Sequence, residues 1–584
     1  MAPFLRLFNV RQVPHHRILA MTVALLFGLL VSFAGAQSTS HKKVKKYLSE
    51  IQRHLLKSYA FPGEFRPQDL LDEGRRELVR VLKRQNGKRL NLPDPVAQDL
   101  LDRLNNRKLQ SIGNLIRRIR KTEQAFPEQP VDLVTIADTF ARGMIDATGD
   151  SFSHVLTLED IRELRDRLLG RGVNRFLGFH LAKEDDQFRV KFVAFRSPAD
   201  RAGLRPGDVI VSIDGTPLSN TTERERSELV RADPGASVTV SFRRNGWDRA
   251  HQVRLEQLQV GVDTVESRLL PSNIGYVRLT RFGLTAAGDL QSALSDLRKQ
   301  GMESIILDLR NNPGGALPVA VDIADLFLTE DQVITTTDSN YELDGTLVRI
   351  VRSLLGFEPL SGTRHATAST PFADEPICVL INASSASASE LTAGALQDHD
   401  RATVAGETSF GKGIGQVAIP LTSSRGLGNT ESLGFFESYL PSRFLYLTVM
   451  KYYLPSGRSI HRTGIRPDLP VSLNEYSEAE FTDLLDLHAS DLLPEYIQQQ
   501  VLTHPDQMRS LAEYDHFESN RYPNFERLHE RVRNKLNVDL SDSVLRRALR
   551  GRLRDYLRLY HNETLTVDLQ NDPILQQGIL HLSE

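Results

Sequence analysis

Ile377-Cys378-Val379-Leu380-Ile381-Asn382-Ala383-Ser384-Ser385-Ala386-Ser387-Ala388-Ser389-Glu390-Leu391 is the stretch on which the reading of this chain turns. Its first five residues are an uninterrupted apolar run, the pattern of a short strand buried on both faces. Small residues follow, and a helical pattern then runs from Ser389 to about Gln397. A junction of this kind leaves unpaired backbone N–H groups and the positive end of a helix dipole beside the small residues. A serine placed there would find its hydroxyl next to donors able to stabilise a tetrahedral oxyanion. The plainer reading is that these serines are helix N-caps, with Glu390 completing the cap, and it is the expectation for Ser385 and Ser389.

Two further segments have related logic. Ser304-Ile305-Ile306-Leu307-Asp308-Leu309-Arg310-Asn311-Asn312-Pro313-Gly314-Gly315 predicts a strand entering a Pro-Gly-Gly turn, with a helix after it from about Leu317 to Phe327. Adjacent glycines at a strand end let backbone N–H groups approach a substrate closely. Val404 to Gln416 contains Gly411-Lys412-Gly413, a lysine with little cover of its own. Burial by neighbouring elements would lower its proton affinity, and only a neutral lysine can accept a serine proton. Taken alone, a lysine in such a turn is more often a surface residue.

Upstream, residues 172–260 read as short strands with turn residues. They contain Phe176-Leu177-Gly178-Phe179, then Ser197-Pro198-Ala199-Asp200-Arg201-Ala202-Gly203-Leu204-Arg205-Pro206-Gly207-Asp208-Val209-Ile210, then Ile213-Asp214-Gly215. This segment resembles a PDZ domain. The resemblance implies a nest of backbone N–H groups at Leu177, Gly178 and Phe179 for a peptide's terminal carboxylate, with the peptide added as a strand to the sheet edge. Gly203, Gly207 and Gly215 read as turn formers.

Together, over roughly residues 145–470, these segments resemble the carboxyl-terminal processing peptidases, or tail-specific proteases. The resemblance implies a serine endopeptidase with Ser387 as nucleophile, Lys412 as its base 25 positions on, and Gln416 orienting the lysine. It also implies oxyanion donors at Ala388 and at Gly314 or Gly315. The distal Tyr452-Tyr453-Leu454-Pro455-Ser456-Gly457-Arg458-Ser459-Ile460 and Gly464-Ile465-Arg466-Pro467-Asp468 fit the same family, with Leu454 where it has threonine. Ser409 also replaces a threonine. A stretch from about Ser423 to Tyr446, with Phe435, Phe436, Tyr439 and Phe444, is inserted and is expected to line or cover the cleft.

The chain of 584 residues exceeds one core, so two to four domains are expected. The expectation is a multidomain α/β protein: helical N-terminal domain (42–170), PDZ-like module (172–260), α/β protease core of ClpP/crotonase-like type (271–473), and helical C-terminal region (474–584). A net charge of −2 supplies no field for nucleic acid. The basic runs His41–Lys46 and Arg117–Lys121 read as solvated helix faces. Arg6, Arg11 and Arg17, the apolar run Ile18–Phe33 and Ala34-Gly35-Ala36 form the pattern of a secretory signal over 1–36, hence an exported, periplasmic or extracytoplasmic protein. An uncleaved segment acting as a membrane anchor, a homo-oligomer and a regulatory partner are left open. The expected partners are protein or peptide substrates with free C-termini.

Cys378 is the single cysteine and reads as a small buried hydrophobe. No H-E-x-x-H or zinc-ligand spacing is present, and no cofactor or metal is expected. A Ser-His-Asp protease lacks its G-x-S-G-G turn here, and His399 falls at a helix end. A non-catalytic peptide-binding adaptor on the same fold is the alternative from a different class; joint retention of Ser387, Lys412 and Gln416 argues against it.

Overall fold

A computed structural model of the chain describes residues 40–85, 90, 92–105, 108–129, 131–168, 177–184, 187–193, 197–221, 229, 236–256, 264–341, 361–425, 427, 441–471, 477–561 and 567–584. Residues 1–36, expected to be a secretory signal, Phe176, and Phe435, Phe436 and Tyr439 of the expected insertion lie outside the described residues.

The N-terminal helices are α1 (His41–Ser58), α2 (Pro67–Gln85), α3 (Asp94–Asn105), α4 (Ile112–Ala125) and α5 (Leu133–Asp146), followed by β1 (His154–Thr157) and α6 (Leu158–Leu168). Helix α1 buries Val44, Tyr47, Leu48, Ile51 and Leu55, three and four residues apart, and Ser40 caps it through the Lys43 N–H. Helices α2 and α5 pack so closely that a Cβ on Gly143 would lie 2.6 Å from the Glu73 carbonyl oxygen.

Next come β2 (Phe179–Glu184), β3 (Gln187–Val193), α7 (Pro198–Arg201), β4 (Val209–Ile213), β5 (Thr216–Pro217), β6 (Ser237–Arg243) and β7 (His251–Glu256). Strands and helices then alternate: β8 (Val265–Leu270), β9 (Ile274–Leu279), α8 (Ala286–Lys299), β10 (Ser304–Asp308), α9 (Leu317–Asp325), β11 (Val333–Ser339), β12 (Gly362–His365), β13 (Ile377–Ile381), α10 (Ala388–Asp398), β14 (Thr403–Gly406), β15 (Ile414–Pro420), β16 (Arg443–Tyr453) and β17 (Leu469–Pro470). The C-terminal region supplies α11 (Glu478–Ala489), α12 (Leu492–Thr503), α13 (Pro505–Glu513), α14 (Phe525–Leu536), α15 (Asp542–His561) and α16 (Pro573–Ser583).

The chain forms two compact units. The first comprises 1–167, 336–363 and 413–453. In it the long strand β16 carries β1, β11 and β15, all antiparallel, and α1–α5 make up the helical part. The second unit comprises 168–335, 364–412 and 454–584. It holds the antiparallel PDZ sheet, order β2-β3-β4-β6-β7, in which β2 is an edge strand. It also holds a six-stranded sheet, order β17-β14-β13-β10-β9-β8, parallel except for the β8–β9 hairpin. Pro271–Asn273 form the turn of that hairpin.

The core sheet explains the apolar runs. Alternate residues Ile306, Cys378, Leu380 and Ala405 pack against Ile574 and Leu575 of α16. Helices α11–α15 enclose a core of their own from Leu484 to Leu557. Helix α11 also contributes Phe481 to the PDZ core.

Candidate active site

Strand β13 ends at Ile381, and five residues separate it from Ser387 at the head of α10. Ser387 has φ 57° and ψ −112°, a backbone conformation that favours glycine. It survives there because the turn is tied on both sides. Asn382 Oδ1 accepts the N–H groups of Asn311 (2.9 Å) and Ser384 (3.1 Å), while Asn382 Nδ2 donates to Asn311 Oδ1 at 2.7 Å. Ser385 Oγ donates to the Leu309 carbonyl and Ser389 Oγ to that of Asn312, both at 2.9 Å. Ser385 and Ser389 are therefore not the helix caps expected from their position. Their buried hydroxyls join the β13–α10 turn to the β10–α9 turn, because two chain segments meet where local reading sees only one.

The Pro-Gly-Gly turn lies against the Ser387 turn. A Cβ on Gly314 would stand 2.6 Å from the Ala386 carbonyl oxygen and 2.7 Å from the Ala388 nitrogen. On Gly315 it would stand 2.2 Å from the Phe282 carbonyl oxygen. The Gly314 N–H donates to Asn312 Oδ1 at 2.9 Å. Among the described residues, the N–H groups of Gly315 and Ala388 have no acceptor. Ala388 opens α10, where a backbone N–H has no helical partner.

Glu390 joins this turn to the Lys412 loop. Its Oε2 accepts the N–H of Ser387 at 2.7 Å and that of Lys412 at 2.8 Å. Its Oε1 accepts the Gly411 N–H and the Ser409 hydroxyl, each at 2.6 Å. The carboxylate is fully buried; burial pushes its pKa up, against the pull of these four donors. Ser409 Oγ in turn accepts the Ile465 N–H at 2.7 Å, so the hydroxyl that serine shares with threonine is the part in use. Gln416 belongs to the other unit, on β15, where its amide donates to Thr448 Oγ1 at 3.0 Å. Its expected service to Lys412 rests on the sequence pattern alone.

Beneath the glycine turn, Asp308 accepts from Tyr276 Oη (2.7 Å), Arg278 (3.2 Å) and Arg310 (2.6 Å). Burial alone would raise its pKa, but the two guanidiniums hold it well below the usual carboxylate range. Arg310 also binds Asp572 at 2.6 Å, the N-cap of α16. His399 caps the far end of α10 and its Nε2 meets the Val333 carbonyl at 2.7 Å, in keeping with the helix-end reading.

In the PDZ module, Gly178 has φ 95° and packs on Ser197, whose Cβ would be 1.8 Å from a Cβ at Gly178. Leu177 and Phe179 are buried, and Phe179 pairs with Val193. The Val193 N–H donates to Ser384 Oγ at 3.1 Å, a direct tie from this module to the Ser387 turn.

Residues 273–471 match peptidase family S41, and residues 190–244 match the PDZ domain. The carboxy-terminal-processing protease of Bartonella bacilliformis is 31% identical over 369 residues, 62% of this chain and 75% of the relative. The carboxyl-terminal-processing protease of Synechocystis is 32% identical over 357 residues, 60% of this chain and 75% of the relative. This chain belongs to the carboxyl-terminal-processing proteases. A solved photosystem II D1 C-terminal processing protease aligns with a TM-score of 0.49 and 22% identity, over 74% of this chain and 94% of its own. The protease is thus a serine peptidase with a PDZ domain, which sets aside the non-catalytic adaptor.

Sequence reasoning missed the reach of Glu390. Its position three residues after Ser387 signals a local capping box, and it does accept the Ser387 N–H. Nothing in the local pattern announces the other three donors, from residues 409–412.

Proposed function

We propose that the protease is an exported endopeptidase that uses Ser387 as nucleophile and Lys412 as general base. Neutral Lys412 takes the hydroxyl proton as Ser387 Oγ attacks the scissile carbonyl, and an acyl-enzyme forms. The proton passes to the departing amine as the C–N bond breaks, and water then hydrolyses the ester. The oxyanion is received by the backbone N–H groups of Ala388 and Gly315; Gly314, whose own N–H is engaged, contributes the absence of a side chain. The observation that carries this reading is the shared anchoring of Ser387 and Lys412 on Glu390, beside two amides without acceptors.

Substrates are proposed to enter by their C-terminal tails. The main-chain N–H groups around Leu177, Gly178 and Phe179 would hold the terminal carboxylate, and the edge strand β2 would accept the tail as a further strand. Export is supported by the N-terminal signal pattern. Among the described residues, no helix is long and apolar enough to cross a membrane.

Ser387→Ala and Lys412→Ala should each abolish cleavage of an unfolded protein with an apolar C-terminus. Normal turnover in either would overturn the dyad. Amidating the substrate's C-terminus should weaken binding, and unchanged affinity would remove the carboxylate nest.

A further inference from the structure

The two basic runs belong to neighbouring helices. His41 Nε2 of α1 pairs with Glu123 Oε2 of α4 at 2.7 Å, and Lys45 Nζ lies 4.0 Å from where a Cβ on Gly113 would sit, one helical turn before Arg117. Lys42, Lys45 and Lys46 on α1 and Arg117, Arg120 and Lys121 on α4 are all exposed. No Asp or Glu occurs between Asp102 and Glu123, and Glu123 itself is paired with His41. The one acid of α1, Glu50, is engaged by the backbone N–H groups of Thr422 and Ser423.

Beside this face lies a cleft of about 440 Å³ lined by Lys108, Gln110, Asn114, Arg117, Arg118 and Lys121. Its lining contains four cations and no carboxylate. Arg118 is fixed within it by the Arg103 carbonyl at 2.8 Å. Two runs that read separately as solvated faces thus combine into one cationic surface with a polar recess.

We infer that this α1–α4 face binds the phosphate headgroups of an anionic phospholipid bilayer. Charge complementarity asks for a polyanionic partner. A bilayer is favoured over a single-stranded nucleic acid because the face exposes no large aromatic side chain on which bases could stack. None of its residues belongs to the proposed dyad.

The test is flotation of the full chain with vesicles of phosphatidylcholine alone or mixed with phosphatidylglycerol. The wild type should prefer the mixed vesicles. Each cation at an anionic surface is worth roughly fivefold, so a variant carrying Lys45→Gln, Lys46→Gln, Arg117→Gln and Lys121→Gln should lose at least ~100-fold of that preference. The same variant should cleave a soluble substrate normally, which separates failure here from failure of the dyad. Salt gives a check without mutation, since the screening length falls from ~10 Å at 0.1 M to ~3 Å at 1 M and the preference should vanish with it. Equal binding to both vesicles, a preference that survives high salt, or binding to single-stranded DNA without any vesicle preference would overturn the inference.

Discussion

Ser387 and Lys412 donate their backbone N–H groups to the same oxygen, Oε2 of Glu390, at 2.7 and 2.8 Å. Two residues 25 positions apart are thereby fixed in register by one side chain that need not touch substrate. A buried carboxylate with four donors tolerates no neutral substitute, because an amide offers one acceptor oxygen and turns its NH2 toward the remaining donors.

Glu390→Gln is expected to lower kcat by about 100-fold with little change in KM, since small misplacements of reacting groups cost that much. Stability should fall as well, by about 1–3 kcal/mol for each donor left unsatisfied. Steady-state kinetics together with denaturant unfolding check this. Wild-type kcat in a folded Glu390→Gln enzyme would dismiss the positioning role.

Ser387→Gly should be inactive yet more stable than wild type. A φ of 57° costs a serine something that glycine does not pay, of order 1–3 kcal/mol. Ser387→Ala should be inactive without that gain. Thermal denaturation of the two variants side by side distinguishes relieved strain from simple loss of a hydroxyl.

Phe481 lies in the PDZ core, with its ring 4.7 Å from that of Trp247 and 5.0 Å from the Arg244 guanidinium. Phe481→Ala should destabilise the module by about 3–5 kcal/mol. Trp247 is the single tryptophan, so its emission should shift to the red as water reaches the ring. Unchanged emission would mean that α11 is dispensable to the PDZ core.

His488 of α11 has its pKa pushed down to about 4 by burial, with Arg552 adding to the effect. An unfolded histidine titrates near 6.5, so between these values the unfolded chain binds a proton that the folded chain does not. Stability is therefore full above pH 6.5 and declines as the pH falls toward about 4. Helix melting across this window should follow that course, and His488→Leu should flatten it.

Cys378 is buried in β13, and burial pushes its pKa up to about 12. Iodoacetamide should leave the native protein untouched and label it fully in denaturant. Labelling under native conditions would mean that α16 leaves the sheet.

Much of this was legible beforehand because it is local. The runs Ser304–Asp308 and Ile377–Ile381, each followed by small residues and a helical pattern, announce strand–turn–helix units whatever lies around them. The partners of those units are tertiary. Ser385 and Ser389 look like caps until the Leu309 and Asn312 carbonyls are brought beside them. Ile574 and Leu575 are an ordinary amphipathic pair, with nothing to say that their ground is β10, β13 and β14. The two basic runs are likewise unremarkable until α1 crosses α4.

The docking of α16 has a consequence for how the core sheet is completed. Pro573 follows Ala405 of β14 by 168 positions, so a ribosome makes β10, β13 and β14 long before the helix that covers them. Until Asp572 reaches Arg310, the nascent protein lacks the cover over Cys378 and Leu380. The apolar face of β10, β13 and β14 thus waits on a distant segment for its cover, and burial of that face is completed by a contact of long sequence separation.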